Sequence, residues 1–297
     1  MGGSANILRR MRQSNDVRSN EGIRMNNSRQ AGGGNVDSAI ATTRSIMETR
    51  LTHLTWADVR ERHVETVILP WGATEAHNTH LPHGTDTWQA EGVARLAADK
   101  ATARGARVVV LPGVPFGVHT QQADLPLTLN VNPSTQSLLL ADLVATVERA
   151  GVRKMLILNG HGGNGFKQMI RELQAMTDVF LCLCNWWTLG TASKVFDEPG
   201  DHAGELETSV MMHLHPDTVR PLSEAGPGEE RVFRIEALRS RSVWAPRQWT
   251  SVTDDTGVGN PVAATAEKGE RFLDQVSTEL ADFLVELDAA DPSDLYA

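Results

Sequence analysis

Residues 154–164 read KMLILNGHGGN, an apolar run that ends in a glycine-rich turn carrying His161. A short apolar run bounded by Asn and Gly is typical of a buried strand, and the pattern after the turn predicts a helix that follows Asn164 and runs to about Thr177. Strand, turn and helix in this order form the repeating unit of a parallel α/β sheet. Ligands bind outside the carboxyl ends of the strands in such sheets, so His161 is predicted to lie at the ligand-binding edge.

The same alternation of short β-rich runs and helical patterns continues along the chain from Leu51. Strands are predicted at residues 66–69, 107–111, 154–158 and 179–184. Helices are predicted at residues 86–103, 134–150, 164–177 and 262–287, the last with Leu273, Val276, Leu280, Phe283 and Leu287 in one apolar stripe. The fold class predicted from this order is α/β, with a mainly parallel sheet flanked by helices.

The composition narrows the classes of partner. Of the 297 residues, 40% are hydrophobic and 22% are charged, which is typical of a soluble globular protein. No apolar run reaches the roughly 20 residues that a membrane span needs, and a formal net charge of -9 disfavours nucleic acid as a partner. A small neutral or cationic substrate, or a metal ion, is expected instead.

Domain organisation and location are read from the remaining composition. Residues 1–45 are rich in Gly, Ser, Asn and Arg, which predicts a disordered N-terminal arm without the continuous apolar segment of a secretory signal. The folded domain is predicted to span residues 46–297. Cys182 and Cys184 have the spacing of one strand face and are predicted to be buried thiols in a reducing compartment, so a cytoplasmic location is expected.

Histidines and carboxylates are concentrated in the loop after the first predicted strand. Residues 70–86 read PWGATEAHNTHLPHGTD and include Glu75, His77 and Asp86. Imidazole and carboxylate are ligands that divalent metals such as zinc prefer, and a Glu-x-His pair in extended backbone points both side chains to one side. Because this loop and the turn at His161 both follow parallel strands, we expect them to converge on one edge of the sheet.

A third group of this kind, HAGELETS at residues 202–209, places His202 and Glu207 at the start of another helical pattern. Each group alone has a plainer interpretation. A single histidine after a strand is more often a hydrogen-bonded structural residue, and a glycine-rich turn can hold a phosphate at a helix N-terminus. The phosphate site is disfavoured because neither a P-loop nor a G-x-G-x-x-G pattern is present, and three such groups together favour a metal site.

These three stretches together resemble the creatininase (creatinine amidohydrolase) family, and the likeness extends from about Leu51 to the GVGNP run at residues 257–261 and the helix after it. The resemblance implies a three-layer creatininase-like α/β fold, usually assembled as a homohexamer. It also implies hydrolysis of C–N bonds in small cyclic or linear amides with two divalent metal ions. The mixed nitrogen and oxygen ligand set suits zinc, manganese or iron.

The resemblance further implies roles for individual residues. Glu75 and His161 would hold one ion, His77 would hold the other, and Asp86 would bridge them. His202 matches a substrate-side histidine that transfers protons. Asp86 and His202 are therefore the predicted catalytic residues.

Two departures from the family pattern change these expectations. Creatininase has a glutamate ligand two residues after the histidine of its NGH run, whereas this chain has Gly163, so Glu207 is predicted to supply the missing carboxylate. Asn78-Thr79 and residues 125–128 also differ from the family pattern, and both segments are expected to line the pocket. Creatinine itself is therefore not the expected substrate.

The other residues near these motifs have less defined predicted roles. His80, His83 and His119 are predicted to contact the substrate or to support the ligands. Trp186 and Trp187 form either an apolar wall of the pocket or part of the core.

Three functions are compatible with the sequence. The leading hypothesis is hydrolysis of an amide, cyclic amide or formamide. The second is hydrolytic C–C ring opening of a cyclic keto-polyol of the inosose type at the same metal site. The third is a non-catalytic ligand-binding protein that retains the fold.

Overall fold

A parallel sheet of four strands in the order β2-β1-β3-β4 organises the computed structural model, which describes residues 48–297. Its strands are β1 (Thr66–Trp71), β2 (Val108–Val110), β3 (Lys154–Asn159) and β4 (Phe180–Asn185). Each neighbouring pair is parallel, and β1 pairs with β3 along its full length. The arm predicted at residues 1–45 lies outside the described residues.

The helices of residues 48–297 connect these strands or follow them. They are α1 (Trp56–Glu61), α2 (Thr85–Thr102), α3 (Pro133–Arg149), α4 (Phe166–Gln174), α5 (Glu205–Leu214), α6 (Glu236–Arg239), α7 (Trp249–Val252) and α8 (Ala266–Ala289). Short 3₁₀ turns lie at Leu51–His53, Thr120–Gln122, Trp186–Thr188, Ala192–Lys194, Pro216–Thr218 and Leu222–Glu224. Of the helices in this part of the chain, none combines the length and apolarity that crossing a membrane requires.

The sheet is covered on both faces, which gives three layers. Ile68 of β1 packs with α2, α5 and α8, whereas Val67 and Leu69 pack with α3 and α4. Successive side chains of a strand point to opposite faces, so a strand covered on both sides reads as a nearly continuous apolar run. The predicted α/β class with a parallel sheet and flanking helices is therefore confirmed.

Capping and loop contacts set the ends of the elements. The predicted helix at residues 262–287 begins at Ala266, because the Thr265 side chain accepts a hydrogen bond from the Lys268 backbone and forms its N-cap. The helix predicted to follow Asn164 begins at Phe166, because the Asn164 side chain bonds back into the turn. The second strand is shorter than predicted and ends ahead of Pro112, which cannot donate to a strand ladder.

Cys182 and Cys184 are free thiols on β4 and are half-buried. Burial raises the pKa of Cys182 to about 12 and that of Cys184 to about 11. Both thiols therefore stay protonated at neutral pH, a state without nucleophilic reactivity.

Candidate metal centre

The residues predicted as metal ligands meet at the carboxyl edge of the sheet. Glu75 and His77 lie on the loop that follows β1, and His161 lies in the turn that follows β3. Asp86 and Glu207 lie in the first turns of α2 and α5. Glu207 is partly exposed and the others are buried.

Asp86 lies between two groups of ligand atoms. Its Oδ1 is 2.9 Å from His77 Nε2, and its Oδ2 is 3.1 Å from His161 Nδ1. The same His161 nitrogen is 2.8 Å from Glu75 Oε1. One carboxylate thus contacts imidazoles from two different loops, which is the arrangement that a bridging ligand needs.

Backbone carbonyls fix the orientation of these imidazoles. His77 Nδ1 donates to the Glu75 carbonyl at 3.1 Å, and His161 Nε2 donates to the Val118 carbonyl at 3.1 Å. His202 Nε2 donates to the Ala76 carbonyl at 2.8 Å. In each ring the other nitrogen is left facing the carboxylates, the pattern that metal-ligating histidines show in proteins.

His202 faces the same carboxylates from the loop ahead of α5. Its Nδ1 is 3.9 Å from Glu75 Oε1, and its ring centroid is 4.2 Å from that of His77. Trp249 packs edge-on against the His202 ring at 5.2 Å. The His202 backbone exchanges hydrogen bonds with Val258, which holds this loop in place.

Asn159, the first residue of the NGHGGN run, positions His161. Asn159 Oδ1 accepts from the His161 backbone N–H at 3.1 Å, and Asn159 Nδ2 donates to the His161 carbonyl at 2.9 Å. A Cβ at position 160 would lie 2.6 Å from the Asp86 carbonyl oxygen, so this turn needs glycine to approach α2.

Opposite charges stabilise one another in this buried site. Burial lowers the pKa of His77, but the adjacent Asp86 carboxylate outweighs it and raises that pKa to about 10. Burial also disfavours the ionised form of Glu75, yet His161 and His202 hold the pKa of that carboxyl well below its usual range. Burial raises the pKa of Glu207. Bound metal cations would supply the positive charge that protonated imidazoles supply to the carboxylates here.

A cavity of about 230 Å³ opens onto these groups. Its walls include Glu75, Asp86, His161, His202, Glu207, Leu206, Trp186 and Trp187. Trp186 is 1% exposed and also packs into the core, so it belongs to both the pocket and the core.

Residues 52–284 match the family model described as Creatininase, creatinine amidohydrolase. The chain belongs to the creatininase family. The mycofactocin precursor peptide peptidase of Mycolicibacterium smegmatis is 30% identical over 230 residues, which cover 74% of this chain and 84% of that protein. The creatinine amidohydrolase of Pseudomonas putida is 25% identical over 265 residues, covering 78% of this chain and 95% of that protein. These relatives are hydrolases, and this creatininase-family chain is accordingly an enzyme of that class.

Further comparisons extend the family assignment. A solved putative creatinine amidohydrolase from Bacteroides fragilis is 43% identical, with a TM-score of 0.80 and coverage of 84% of this chain and 99% of that chain. Creatininases solved in manganese and zinc-zinc forms have the same fold, with TM-scores of 0.67 and 0.66. The 3-dehydro-scyllo-inosose hydrolase of Thermotoga maritima is 28% identical, over 55% of each chain.

The donor atoms of this creatininase-family site fit divalent metal ions. Within residues 48–297, three groups of His, Asp and Glu bring ligand atoms within 4.8 Å of one another: Glu75, His77 and His202; Glu75, His119 and His161; His77, Asp86 and Glu207. Among these residues, Asp86 Oδ2 is buried and has no hydrogen-bond partner. Ligand atoms about 2.0–2.2 Å from one ion lie roughly 3.0–3.5 Å apart, close to the separations measured here.

The predicted substrate contacts are placed differently. Trp186 and Trp187 line the cavity, whereas His80 and His119 do not. His80 bonds through Nε2 to the Thr208 hydroxyl at 2.8 Å, and burial lowers its pKa to about 4, so it is a neutral structural imidazole. His119 lies behind Glu75, with its Nδ1 3.6 Å from Glu75 Oε2. His83 is exposed and lies two residues ahead of α2.

The segments that depart from the family pattern do not line the cavity, contrary to the sequence prediction. Asn78 is in the left-handed conformation with φ 53°, and its side-chain amide pairs with Gly226 through bonds of 3.0 and 2.9 Å. The Thr79 hydroxyl donates to the Glu224 carbonyl. These side chains hold a distant loop against the metal loop and are not free to meet a substrate.

The structure also adds residues that no motif indicated. Gln122 Nε2 donates to Glu75 Oε2, and Trp249 packs on His202. Both lie outside the three motifs, Gln122 between His119 and Asp124 and Trp249 ahead of residues 257–261. The only local signal was the presence of a Trp and a Gln, which is too common to identify a site.

Proposed function

We propose that this protein hydrolyses a C–N bond in a small amide, cyclic amide or formamide, using two divalent ions of zinc, manganese or iron. The observation that carries the proposal is the position of Asp86 between His77 and His161, at 2.9 and 3.1 Å, on the wall of a cavity. Glu75 and His161 would hold one ion, His77 and Glu207 the other, and Asp86 both. Bound ions of this kind lower the pKa of a water and polarise a carbonyl oxygen.

His202 is the residue that would move the proton. Its Nε2 is committed to the Ala76 carbonyl, so proton exchange takes place at Nδ1, the nitrogen that faces Glu75. The water oxygen adds to the carbonyl carbon and the C–N bond breaks. His202 Nδ1 takes up the proton that the water loses and passes it to the departing nitrogen, so the products are a carboxylic acid and an amine.

The cavity favours a small substrate. Its volume of about 230 Å³ is below the roughly 300–1,000 Å³ of sites for drug-sized ligands. Trp186, Trp187 and Leu206 supply apolar wall, and the proposed ligands and Asp201 supply polar groups. A compact ring or the end of a short chain fits this volume and mixed lining.

A substrate panel tests the proposed reaction. The metal-loaded protein should release acid and amine from at least one lactam, formamide or short peptide, because relatives named for amidohydrolase and peptidase activity cleave C–N bonds. Product analysis by mass spectrometry identifies the bond that is broken. Turnover of inososes alone would instead favour C–C hydrolysis, and no turnover by protein with both ions bound would contradict the proposal.

Metal content provides a second prediction. Metal-loaded protein should contain close to two ions per chain, and Glu207→Gln should lower this to about one, because a neutral amide is a weak ligand. Asp201→Asn is the matched control, since Asp201 lines the same cavity but belongs to no ligand group. Elemental analysis distinguishes the cases. One ion in the wild-type protein, unchanged by Glu207→Gln, would mean a mononuclear site.

The free thiols support a cytoplasmic location. The family resemblance supports a homohexamer as the working form. Light scattering of the purified protein measures the assembly directly. A monomer in solution would contradict this part of the proposal.

A further inference from the structure

His119 is enclosed beside the metal centre, and within residues 48–297 its ring lacks a hydrogen-bond partner. Its side chain is 0% exposed, and neither ring nitrogen has a hydrogen-bond partner within residues 48–297. Buried polar atoms are nearly always paired, so an imidazole in this state needs an explanation. His119 does not line the cavity, and a bound substrate is therefore not the partner that the geometry favours.

The surroundings of His119 are those of a ligand group. Its Nδ1 is 3.6 Å from Glu75 Oε2, too far for a good hydrogen bond and close to the spacing of two ligands of one ion. Its ring lies edge-on to His161 with the centroids 5.2 Å apart. Ligand atoms of Glu75, His119 and His161 all fall within 4.8 Å of one another.

The backbone that carries His119 is tied to the NGHGGN run. Val118 N–H donates to Asn164 Oδ1 at 3.1 Å, and the Val118 carbonyl accepts from His161 Nε2 at 3.1 Å. The His119 N–H donates to Asn130 Oδ1 at 2.9 Å. These bonds fix His119 relative to His161, so the two imidazoles are positioned as a pair.

Gly163 makes this approach possible. A Cβ at position 163 would lie 2.1 Å from the Val118 carbonyl oxygen and 2.5 Å from His161 Nε2. Any side chain there would push the Val118 segment away and withdraw His119 from Glu75. The absence of a side chain at 163 and the presence of an imidazole at 119 are therefore linked.

We propose that His119 is a further ligand of the ion that Glu75 and His161 hold, in place of a substrate contact. The inference rests on the proposed function only in requiring that an ion binds there. An ion in this group would give one orphaned His119 nitrogen its partner. The ion would then have Glu75, Asp86, His119 and His161 as protein ligands, a mixed nitrogen and oxygen set.

Cobalt(II) titration without substrate tests the assignment, because the visible absorption of cobalt reports its ligands. His119→Gln should lower the affinity for one of the two cobalt ions and change the spectrum. The loss of affinity should exceed the roughly 10–100-fold that is typical when a residue supporting a metal ligand is removed. His80→Gln is the matched control, since His80 is also buried with an unpartnered Nδ1 but belongs to no ligand group. It should change neither quantity.

A cobalt affinity and spectrum of His119→Gln that equal those of the wild-type protein would overturn the assignment. A crystal structure of the wild-type cobalt protein decides the case even where the variant fails to fold. His119 should then lie about 2.0–2.2 Å from cobalt, and a distance above about 3 Å would overturn the proposal. These measurements contain no substrate, so failure of every amide in the panel would contradict the proposed reaction and leave the ligand result standing.

Discussion

Asp86→Asn should remove both the bound ions and the hydrolytic activity. Asp86 Oδ1 and Oδ2 contact imidazoles of two ligand groups at 2.9 and 3.1 Å, so one substitution removes charge from both metal positions. The shape of the side chain is preserved. The expected loss of metal affinity exceeds about 100-fold, which is the upper end of the loss seen when a residue that only supports a metal ligand is removed. Elemental analysis and turnover of the best substrate from the panel measure the two effects.

Asp99→Asn is the control for this variant. Asp99 lies on the same helix, α2, and pairs with Arg95 and Thr49 away from the cavity. It should retain both ions and full turnover. Asp86→Asn that kept two ions would mean that Asp86 does not bridge, and the pair of ligand groups would have to be reassigned.

The fold could be predicted because its determinants are local. The apolar runs of β1 and β3 are long enough to be read as buried strands, and the glycine-rich turn after β3 indicates the start of a βα unit. Asn164 shows where this local pattern ends. Its side chain donates to Asn159 Oδ1 in the same turn and accepts from the Val118 N–H of another loop, so the start of α4 could not be predicted to the residue.

The candidate site likewise has a part that could be predicted from the sequence and a part that could not. Glu75, His77 and His161 could be grouped in advance, because they follow parallel strands whose carboxyl ends share one edge. The sequence predicts that His119 contacts the substrate or supports the ligands. Its position behind Glu75 depends on the space left by Gly163 and on hydrogen bonds to side chains of other loops, which the sequence does not reveal. Trp249 reaches His202 only through the pairing of Val258 with the His202 backbone. Contacts of this kind join residues that are far apart in the chain, so no spacing in the sequence indicates them.

His202→Ala should keep both ions and lower turnover by roughly 10²–10⁴-fold, the usual contribution of general acid–base catalysis. Its Nδ1 is 3.9 Å from Glu75 Oε1, farther than the 2.8–3.1 Å separations among the proposed ligands. Steady-state kinetics and elemental analysis of the same preparation separate loss of proton transfer from loss of metal. The fold should be retained, since His202 donates one side-chain hydrogen bond, to the Ala76 carbonyl.

Chemical rescue distinguishes proton transfer from metal binding at this position. His202 lines the cavity, so free imidazole can enter the space that His202→Ala leaves and should restore part of the turnover without changing the metal content. Asp86→Asn, which lacks metal, should not respond to imidazole. The competing assignment comes from the ligand group of Glu75, His77 and His202. If His202→Ala lost an ion, then His202 would be a ligand, the role of Glu207 would be in doubt, and proton transfer would have to be assigned to another group of the cavity wall.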